Sequence, residues 1–244
     1  MNCLADEDRS HGMRAGNMND AEFDRYVESY EAMHRQSIAF AGTEPSYFAE
    51  YKVGFAAQVA GTCRAILDFG AGTGNSIPHF RRHFPEARLT CADVSQKSLE
   101  FASRRFPGDE RFVRIEENNV PAEAGSFDLI FVACVFHHIA PARHQHWLAE
   151  LLRLAKPGGR LILFEHNPLN PLTLKAVNSC EFDKDAILIR HGEMGTRMLD
   201  AGWQSPKTRF HVFFPGFLGP LRPLERYLGG VCIGGQYSIS VQKN

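Results

Sequence analysis

The residues best suited to chemistry surround a glycine loop. Asp68 lies in the short apolar run Ala65–Phe69, glycines follow in the spacing G-x-G-x-G, and Asp93 ends the next strand-like run. Glycines permit positive φ and let a ligand touch the backbone. A helix predicted after the loop offers free N–H groups at its first turn. This arrangement predicts a ligand site.

The glycine spacing and the two carboxylates indicate which ligand. A dinucleotide fingerprint reads G-x-G-x-x-G and places a pyrophosphate on the helix, but position 75 is Asn75 here. A carboxylate at Asp68 suits an ammonium group, and one at Asp93 can accept both hydroxyls of a ribose. An amino-acid group at one end and a ribose at the other describe S-adenosylmethionine.

Alternating elements must position these residues. Helices are predicted from Asn19 and from Pro45 to Gly61, and short strands then alternate with helices from Ala65 onward. Such alternation predicts βαβ units and a parallel sheet with helices on both faces. The nearly unbroken apolar run Phe127–Val135 is typical of a strand buried on both faces.

The second half of the chain predicts a different ending. A helix over Pro141–Ala155 is followed by a turn at Lys156–Gly159 and a buried strand at Arg160–Phe164. Two later runs, Thr208–Phe214 and Cys232–Val241, are strand-like, with a Pro- and Gly-rich aromatic segment between them. We expect these two strands to form an antiparallel hairpin at the edge of the sheet.

Motifs in this order resemble the class I S-adenosylmethionine-dependent methyltransferase family, over Ala65–His166. The resemblance rests on four motifs: Leu67–Gly74, Ala92–Ser95, Gly125–Ile130 and Leu154–Gly159. It implies a Rossmann-like, seven-stranded, mostly parallel α/β sheet with an antiparallel last strand. It also implies an N-terminal helical lid at 19–62 and a methyltransferase domain at 63–244, while the polar residues 1–18 are expected to form a flexible tail.

The same resemblance assigns cofactor contacts. The loop residues would surround the methionine part, Asp93 would hold the ribose and Val94 would pack on the adenine. The position of Glu116 and Glu117 is near the adenine amino group, although Glu116 stands where the family often has Asp. The implied cofactor set is Asp68, Gly70, Ala71, Gly72, Gly74, Asp93, Val94, Glu116, Glu117, Ala133, Cys134 and Tyr30. Tyr30 and Lys52, on the two N-terminal helices, are candidates for touching the methionine carboxylate or for closing the site.

Histidines follow the fourth and fifth strands, where the acceptor should lie. His138 and His166 are the candidate catalytic bases, and Glu165 with His166 could act as a pair or simply fix the loop. We expect no metal: neighbouring His137 and His138 need not face the same way, and no cysteine spacing supports zinc. The stretch Asn178–Cys180 is expected to be irregular and could line the pocket.

The function predicted from these features is transfer of a methyl group from S-adenosylmethionine to a small-molecule or lipid-like acceptor, with oxygen slightly favoured over nitrogen or carbon. Two alternatives stay open. One is an NAD(P)-dependent oxidoreductase on a related sheet, and the other is a non-catalytic S-adenosylmethionine-binding protein.

Composition limits the partners. The 244 residues are 44% hydrophobic and 23% charged, with a net charge of −1. This balance argues against a duplex nucleic-acid partner, and no apolar run is long enough for a transmembrane helix. Six cysteines without a C-x-x-C pair suggest reduced thiols and a cytoplasmic protein. The aromatic segment Phe210–Leu228 is expected to pack on the sheet edge or to form the interface of a homodimer. The alternatives are that it lines the binding site of an apolar acceptor or lies on a membrane surface.

Overall fold

The structure is a computed structural model that describes residues 45–180, 183, 185–214 and 216–244. The predicted tail at 1–18, the predicted helix from Asn19 and the candidate site residue Tyr30 lie outside these residues. The second predicted helix lies within them and spans Pro45–Ala60, as the sequence indicated.

Strands from the whole described chain form one sheet. They are, in chain order, β1 (Ala65–Phe69), β2 (Arg88–Asp93), β3 (Arg111–Arg114), β4 (Phe127–Ala133), β5 (Ala155–His166), β6 (Gln204–His211) and β7 (Gln236–Gln242). The seven strands lie in the order β3-β2-β1-β4-β5-β7-β6. Strand β7 pairs antiparallel with both β5 and β6, and the other pairs are parallel. The predicted mostly parallel sheet with an antiparallel last strand is confirmed.

Helices cover both faces of this sheet. They are α1 (Pro45–Ala60), α2 (Ile77–His83), α3 (Gln96–Arg105), α4 (His144–Leu154), α5 (Pro171–Ser179), α6 (His191–Asp200) and α7 (Glu225–Leu228), with 3-10 segments at Phe136–His138, Pro141–Arg143 and Gly216–Leu224.

Two hydrophobic clusters result, one on each face. On one face α1, α2 and α3 pack through Val53, Phe80 and Ala102. On the other, α4 and α6 pack through side chains such as Trp147 and Met198. Strand residues alternate between the clusters because successive side chains point to opposite faces.

Local signals explain several boundaries. Ser95 precedes α3, and its hydroxyl accepts a hydrogen bond from the Ser98 amide at 3.0 Å. This N-cap satisfies an amide that would otherwise lack a partner in the first turn. Gly202 follows the last turn of α6 at φ +98, a conformation that glycine adopts without steric cost. Both residue types are common at these helix ends.

The stretch predicted as a turn at Lys156–Gly159 lies instead inside strand β5. Phe127 pairs with Ala155, whereas Leu129 pairs with Arg160, so the extra residues form a bulge against β4. A β-carbon on Gly159 would lie 3.0 Å from the Phe127 carbonyl oxygen. The absence of a side chain therefore lets the bulged backbone stay against β4, and the prediction of a turn was wrong.

Two other predicted boundaries also differ. Asn178 and Ser179, expected in an irregular segment, end helix α5, whose Asn170 cap accepts from two backbone amides. Strand β6 ends at His211 rather than continuing to Phe214, because Val212 adopts φ +61. A positive φ in a β-branched residue interrupts extended backbone.

The segment between β6 and β7 packs on the body of the domain. Phe210 is buried in one of the two clusters, and Phe213 packs against it. Glu225 accepts hydrogen bonds from the backbone amides of Phe213 and Phe214 at 3.0 and 2.9 Å, so this segment is anchored by its own first helical turn. None of the helices in the described part of the chain has the length and apolarity that crossing a lipid bilayer requires.

Candidate active site

The glycine loop lies at the carboxyl ends of β1 and β2. The backbone amides of Gly70 and Ala71 both donate to the carbonyl of Ala92, at 2.8 and 3.0 Å, and Gly74 donates to Ala71. Ligands of open α/β sheets bind at this edge. The loop is therefore placed where the sequence predicted it.

The three loop glycines serve different purposes, although all have positive φ. A β-carbon on Gly70 would overlap Val135 Cγ2, and one on Gly74 would lie 2.9 Å from Ala102 Cβ. These two positions need glycine for packing. A β-carbon on Gly72 would meet nothing within 4 Å, so Gly72 borders open space that a ligand can fill.

Asp93 holds this loop in shape. Its Oδ2 accepts from the amide of Gly72 at 2.8 Å, and its Oδ1 accepts from the amide of Ser95 at 2.9 Å. Both carboxylate oxygens of Asp93 therefore accept hydrogen bonds from the backbone around the loop. The residue predicted to bind ribose therefore also positions the loop and the start of α3.

Asp68, beneath the loop, has a buried carboxylate oxygen that lacks a hydrogen-bond partner. Its Oδ2 and the hydroxyl of Thr73 are the buried side-chain oxygens without a hydrogen-bond partner in the described residues. Burial, with the neighbouring Asp93 as a second cause, raises the pKa of Asp68 to about 7. A buried polar atom without a partner is costly, so a ligand cation at this point would relieve both the missing partner and the charge repulsion.

The residues assigned to the adenine lie at the neighbouring strand ends. Val94 is partly buried and packs against one hydrophobic cluster. Glu116 and Glu117 follow β3 in an exposed turn, closed by a hydrogen bond from the Glu116 amide to the Asn119 carbonyl. Their carboxylates are in the predicted region of the sheet edge but remain exposed.

Cys134 lies directly after β4, at φ +60. The ammonium of Lys52, on α1, donates to its Sγ at 3.2 Å. Burial raises the pKa of the thiol, but Lys52 and then His166 outweigh it and lower the pKa of Cys134 to about 6. A strained backbone and a stabilised thiolate coincide at this strand end, beside the partly exposed Ala133.

Helix α1 is tied to the far side of the sheet by a second contact. Tyr51 Oη lies 2.9 Å from His211 Nδ1, and His211 Nε2 lies 2.8 Å from Ser238 Oγ. Burial, and then Lys52, lower the pKa of His211 to about 3, so this imidazole stays neutral. These two hydrogen bonds, through Tyr51, His211 and Ser238, hold in place the helix from which Lys52 reaches the site.

Glu165 is the buried centre of the histidine group. Its Oε2 lies 2.5 Å from His137 Nδ1, and its Oε1 accepts from the amides of Val135 and Phe136. Burial raises the pKa of Glu165, but His137 outweighs it and keeps the pKa below its usual value. Of the two alternatives for Glu165 and His166, the contacts of Glu165 correspond to fixing the loop after β4, and its histidine partner is His137 because adjacent strand residues point to opposite faces.

His137 and His138 converge on Asp183. Asp183 Oδ1 lies 3.7 Å from His137 Nε2 and 3.5 Å from His138 Nε2. The expectation that the two rings need not face the same way does not describe this site: their centroids are 4.1 Å apart and both rings reach the same carboxylate. The expected absence of a metal remains a prediction, although these three residues are grouped closely enough to hold an ion.

Charge differs between the two rings. Burial lowers the pKa of His137, but Glu165 and then Asp183 outweigh it and raise the pKa to about 10. Burial and the neighbouring His137 lower the pKa of His138. Burial raises the pKa of Asp183, yet hydrogen bonds to both imidazoles hold it well below its usual range. His138 is therefore the neutral member of the group.

His166, the last residue of β5, completes the group. Its ring centroid lies 5.1 Å from that of His137, and its backbone pairs with Gln236. The structure thus brings together residues from the ends of β1, β2, β4 and β5 and from α1. His137 and Asp183 were not among the predicted catalytic residues. The adjacent histidines after β4 were a visible signal for the first, but no local pattern marks Asp183.

A family described as a methyltransferase domain matches residues 67–161, which include the glycine loop, Asp93 and the histidines after β4. Residues 67–161 are therefore a methyltransferase domain of the predicted type, similar to the class I S-adenosylmethionine-dependent methyltransferase family. The sequence resemblance is thereby confirmed, and the cofactor of this family is S-adenosylmethionine.

Individual relatives of this chain are also named as methyltransferases. The chain is 37% identical over 111 residues to a demethylmenaquinone methyltransferase of Clavibacter sepedonicus, covering 45% of this chain and 43% of that one. It is 31% identical over 162 residues to the corresponding protein of Thermotoga maritima, covering 66% and 64%. It is 34% identical over 98 residues to a malonyl-[acyl-carrier protein] O-methyltransferase of Hahella chejuensis, covering 40% and 34%. The matches thus span less than two thirds of each of these relatives.

A solved structure extends the likeness in fold. A crystal structure described as an S-adenosylmethionine-dependent methyltransferase from Thermotoga maritima has a TM-score of 0.67 at 20% identity, covering 92% of this chain and 99% of that one. At this level of identity the comparison concerns the fold alone, and the methyltransferase fold extends well beyond the residues of the family match.

The residues present fit the family's cofactor. S-adenosylmethionine carries an ammonium and a sulfonium, and Asp68 is a buried carboxylate with an unpartnered oxygen. Gly72 borders open space, and the carboxylate of Asp93 lies beside it. The carboxylate of Asp68 suits a cation, the open space at Gly72 suits a ligand lying close to the backbone, and the carboxylate of Asp93 suits the two hydroxyls of a ribose.

Proposed function

We propose that this chain transfers the methyl group of S-adenosylmethionine to a small-molecule acceptor that carries an acidic, aromatic-type hydroxyl. One observation carries the proposal. The loop with the unpartnered Asp68 oxygen and His138, whose lowered pKa keeps it neutral, lie at the same edge of the sheet. The first suits a cationic methyl donor, and the second suits an acceptor that must lose a proton.

Cofactor contacts follow from the loop geometry. Asp68 would face the ammonium, and Asp93 would accept from the ribose hydroxyls. Backbone at Gly70, Ala71, Gly72 and Gly74 would lie along the methionine part, beside Ala133 and Cys134. Val94 would pack on the adenine, with Glu116 or Glu117 near its amino group and Tyr30 from the N-terminal segment.

Methyl transfer requires the protein mainly to position the acceptor next to the methyl donor. The sulfonium already makes the methyl group electrophilic, so the chain aligns the acceptor and excludes water. A general base must be unprotonated at working pH. Burial and His137 lower the pKa of His138, and His166 is the second candidate on the neighbouring strand. The lid formed by α1 would close over this edge, with Lys52 already reaching into it.

Whether oxygen or carbon receives the methyl group depends on the chemistry of the acceptor. Loss of a proton from an aromatic hydroxyl activates both its oxygen and the adjacent ring carbons. The relatives have names of both kinds, quinone C-methyltransferases and an O-methyltransferase. Transfer to oxygen was slightly favoured from the sequence, and an aromatic hydroxyl compound keeps both outcomes available to one site. We also propose that the chain works in the cytoplasm without nucleic acid, as a monomer or a homodimer.

Incubation of the protein with methyl-labelled S-adenosylmethionine and a panel of hydroquinones, phenols and aliphatic alcohols tests this function. We expect methylated product from the aromatic hydroxyl compounds and none from the alcohols, with the atom assigned by NMR. The Asp93→Ala variant should abolish product through the cofactor site. His138→Gln should lower kcat most for acceptors with the highest hydroxyl pKa.

Binding measurements separate the competing functions. Calorimetric titration with S-adenosylhomocysteine should show binding that Asp93→Ala loses. Binding without product across the panel would favour a non-catalytic cofactor-binding protein. No binding to the folded chain would contradict the proposal, and tight binding of a reduced nicotinamide cofactor would support the oxidoreductase alternative.

A further inference from the structure

We propose that His137, His138 and Asp183 form a binding site for one divalent transition-metal ion of the zinc class, at the acceptor end of the pocket. Each of the three residues offers one ligand atom, and these atoms all lie within 4.8 Å of one another. Two imidazole nitrogens and one carboxylate oxygen are a donor set suited to zinc, cobalt or iron rather than to calcium or magnesium.

The distances suit a shared ion. Zinc is bound by histidine nitrogen and carboxylate oxygen at about 2.0–2.2 Å, so neighbouring ligands of a tetrahedral ion lie roughly 3.3–3.6 Å apart. Asp183 Oδ1 lies 3.5 Å from His138 Nε2 and 3.7 Å from His137 Nε2. These two distances are close to those of a tetrahedral site, and the two histidine nitrogens, within 4.8 Å of each other, would approach one another around the ion and leave its remaining position open.

Glu165 supplies independent support, because it orients His137 from behind. Its Oε2 lies 2.5 Å from His137 Nδ1, so Nδ1 donates to Glu165 and Nε2 faces Asp183, where a bound ion would displace the proton that Nε2 otherwise holds. Metal-bound histidines almost always donate their other nitrogen to a carboxylate or carbonyl in this way. Glu165 itself is 1% exposed and held by two backbone amides, so the ring has little freedom to turn.

The position of the site gives the ion a role. His137 and His138 follow β4 directly, beside Cys134 and the end of β5. An ion at an open position there would bind an acceptor's hydroxyl oxygen and lower its pKa. In the metal-bound protein His138 would serve as a ligand rather than as the base, and the ion would replace its function.

Cobalt titration tests the site without any methyl transfer. Protein purified without a polyhistidine tag and treated with a chelator is titrated with Co²⁺, and the visible absorption of low-coordinate cobalt is followed. We expect a saturable band at one ion per chain, which Zn²⁺ removes. Asp183→Asn and His138→Ala should each weaken cobalt binding by at least about tenfold, the minimum that loss of even an outer-shell partner typically causes.

Asp185→Asn is the matched control, because Asp185 is an exposed carboxylate two residues along the same segment. It should bind cobalt like the unchanged protein, and circular dichroism should show that all variants are folded. A purely structural ion pair between Asp183 and the imidazoles predicts no saturable band. That result, or equal binding by Asp183→Asn and Asp185→Asn, would overturn the proposal while leaving methyl transfer with His138 as the base untouched.

Discussion

Lys52 Nζ lies 3.2 Å from Cys134 Sγ, and this contact joins helix α1 to the strained end of β4. Lys52 is 8% exposed, so the pair is poorly screened by water. A nearby cation favours the thiolate over the thiol. The contact therefore places a stabilised anion beside the cofactor loop.

Alkylation kinetics should reveal this thiolate. We expect Cys134 to react with iodoacetamide with a midpoint near pH 6, because its pKa is lowered to about 6. Lys52→Met removes the main favourable charge and should move the midpoint upward. Rates are measured for each cysteine by mass spectrometry across pH 5 to 9.

Cys63 provides an internal reference, since burial raises its pKa to about 11. It should react slowly throughout this range in both proteins. S-adenosylhomocysteine should protect Cys134 if this residue lines the cofactor site. An unchanged Cys134 profile in Lys52→Met would show that the ammonium does not control the thiol.

Asp68 should make stability depend on pH. Its pKa is about 7 in the folded chain and about 3.9 when unfolded, so the folded state binds the proton more tightly. The resulting stabilisation is fully present below about pH 4 and is lost as the pH rises through about 7. Asp68→Asn abolishes this titration, so we expect the variant to have the higher Tm at pH 8 in the absence of cofactor.

The same substitution should weaken cofactor binding. Ionised Asp68 is the form that pairs with an ammonium, so affinity for S-adenosylhomocysteine should fall by up to about tenfold per pH unit below pH 7. In Asp68→Asn the affinity should be lower and independent of this titration. A difference in Tm between the two proteins that stays constant from pH 4 to pH 8 would contradict this account.

Alanine at two loop glycines should separate folding from binding. Gly70→Ala combines positive-φ strain of about 1–2 kcal/mol with an overlap on Val135 that costs about 1–3 kcal/mol. Gly72→Ala has only the strain, because its β-carbon meets open space. We expect Gly70→Ala to lower Tm more, and Gly72→Ala to lose S-adenosylhomocysteine affinity out of proportion to its small change in Tm. Equal ratios of the two effects would argue against a ligand at Gly72.

Asp93 should matter for both the loop and the ligand. Asp93→Asn keeps the size of the side chain but replaces one of two acceptor oxygens by a donor, facing the amide of Gly72 or Ser95. Hydrogen bonds to charged groups contribute about 1.5–3 kcal/mol, so calorimetry should show roughly tenfold to hundredfold weaker binding. Asp109→Asn, at an exposed position, is the control and should bind normally.

Local sequence predicted the parts of the site that adjacent residues build. Gly70, Gly72 and Asp93 belong to one strand–loop–helix unit and the strand beside it, so their types and spacing were sufficient. Where a bulge replaced a turn at Lys156–Gly159, the pairing of β5 with β4 decided the backbone, and no local pattern specified that pairing.

By itself, the sequence determined the alternating sheet, the glycine loop and the two carboxylates that suit a cationic, ribose-bearing cofactor. Only the tertiary structure decided which side chains meet at the ends of β4 and β5. Glu165 contacts His137 rather than its neighbour His166 because strand side chains alternate between faces, and β4 and β5 are adjacent. Asp183 and Lys52 reach the same edge from distant segments, since packing brings together residues whose separation along the chain carries no signal.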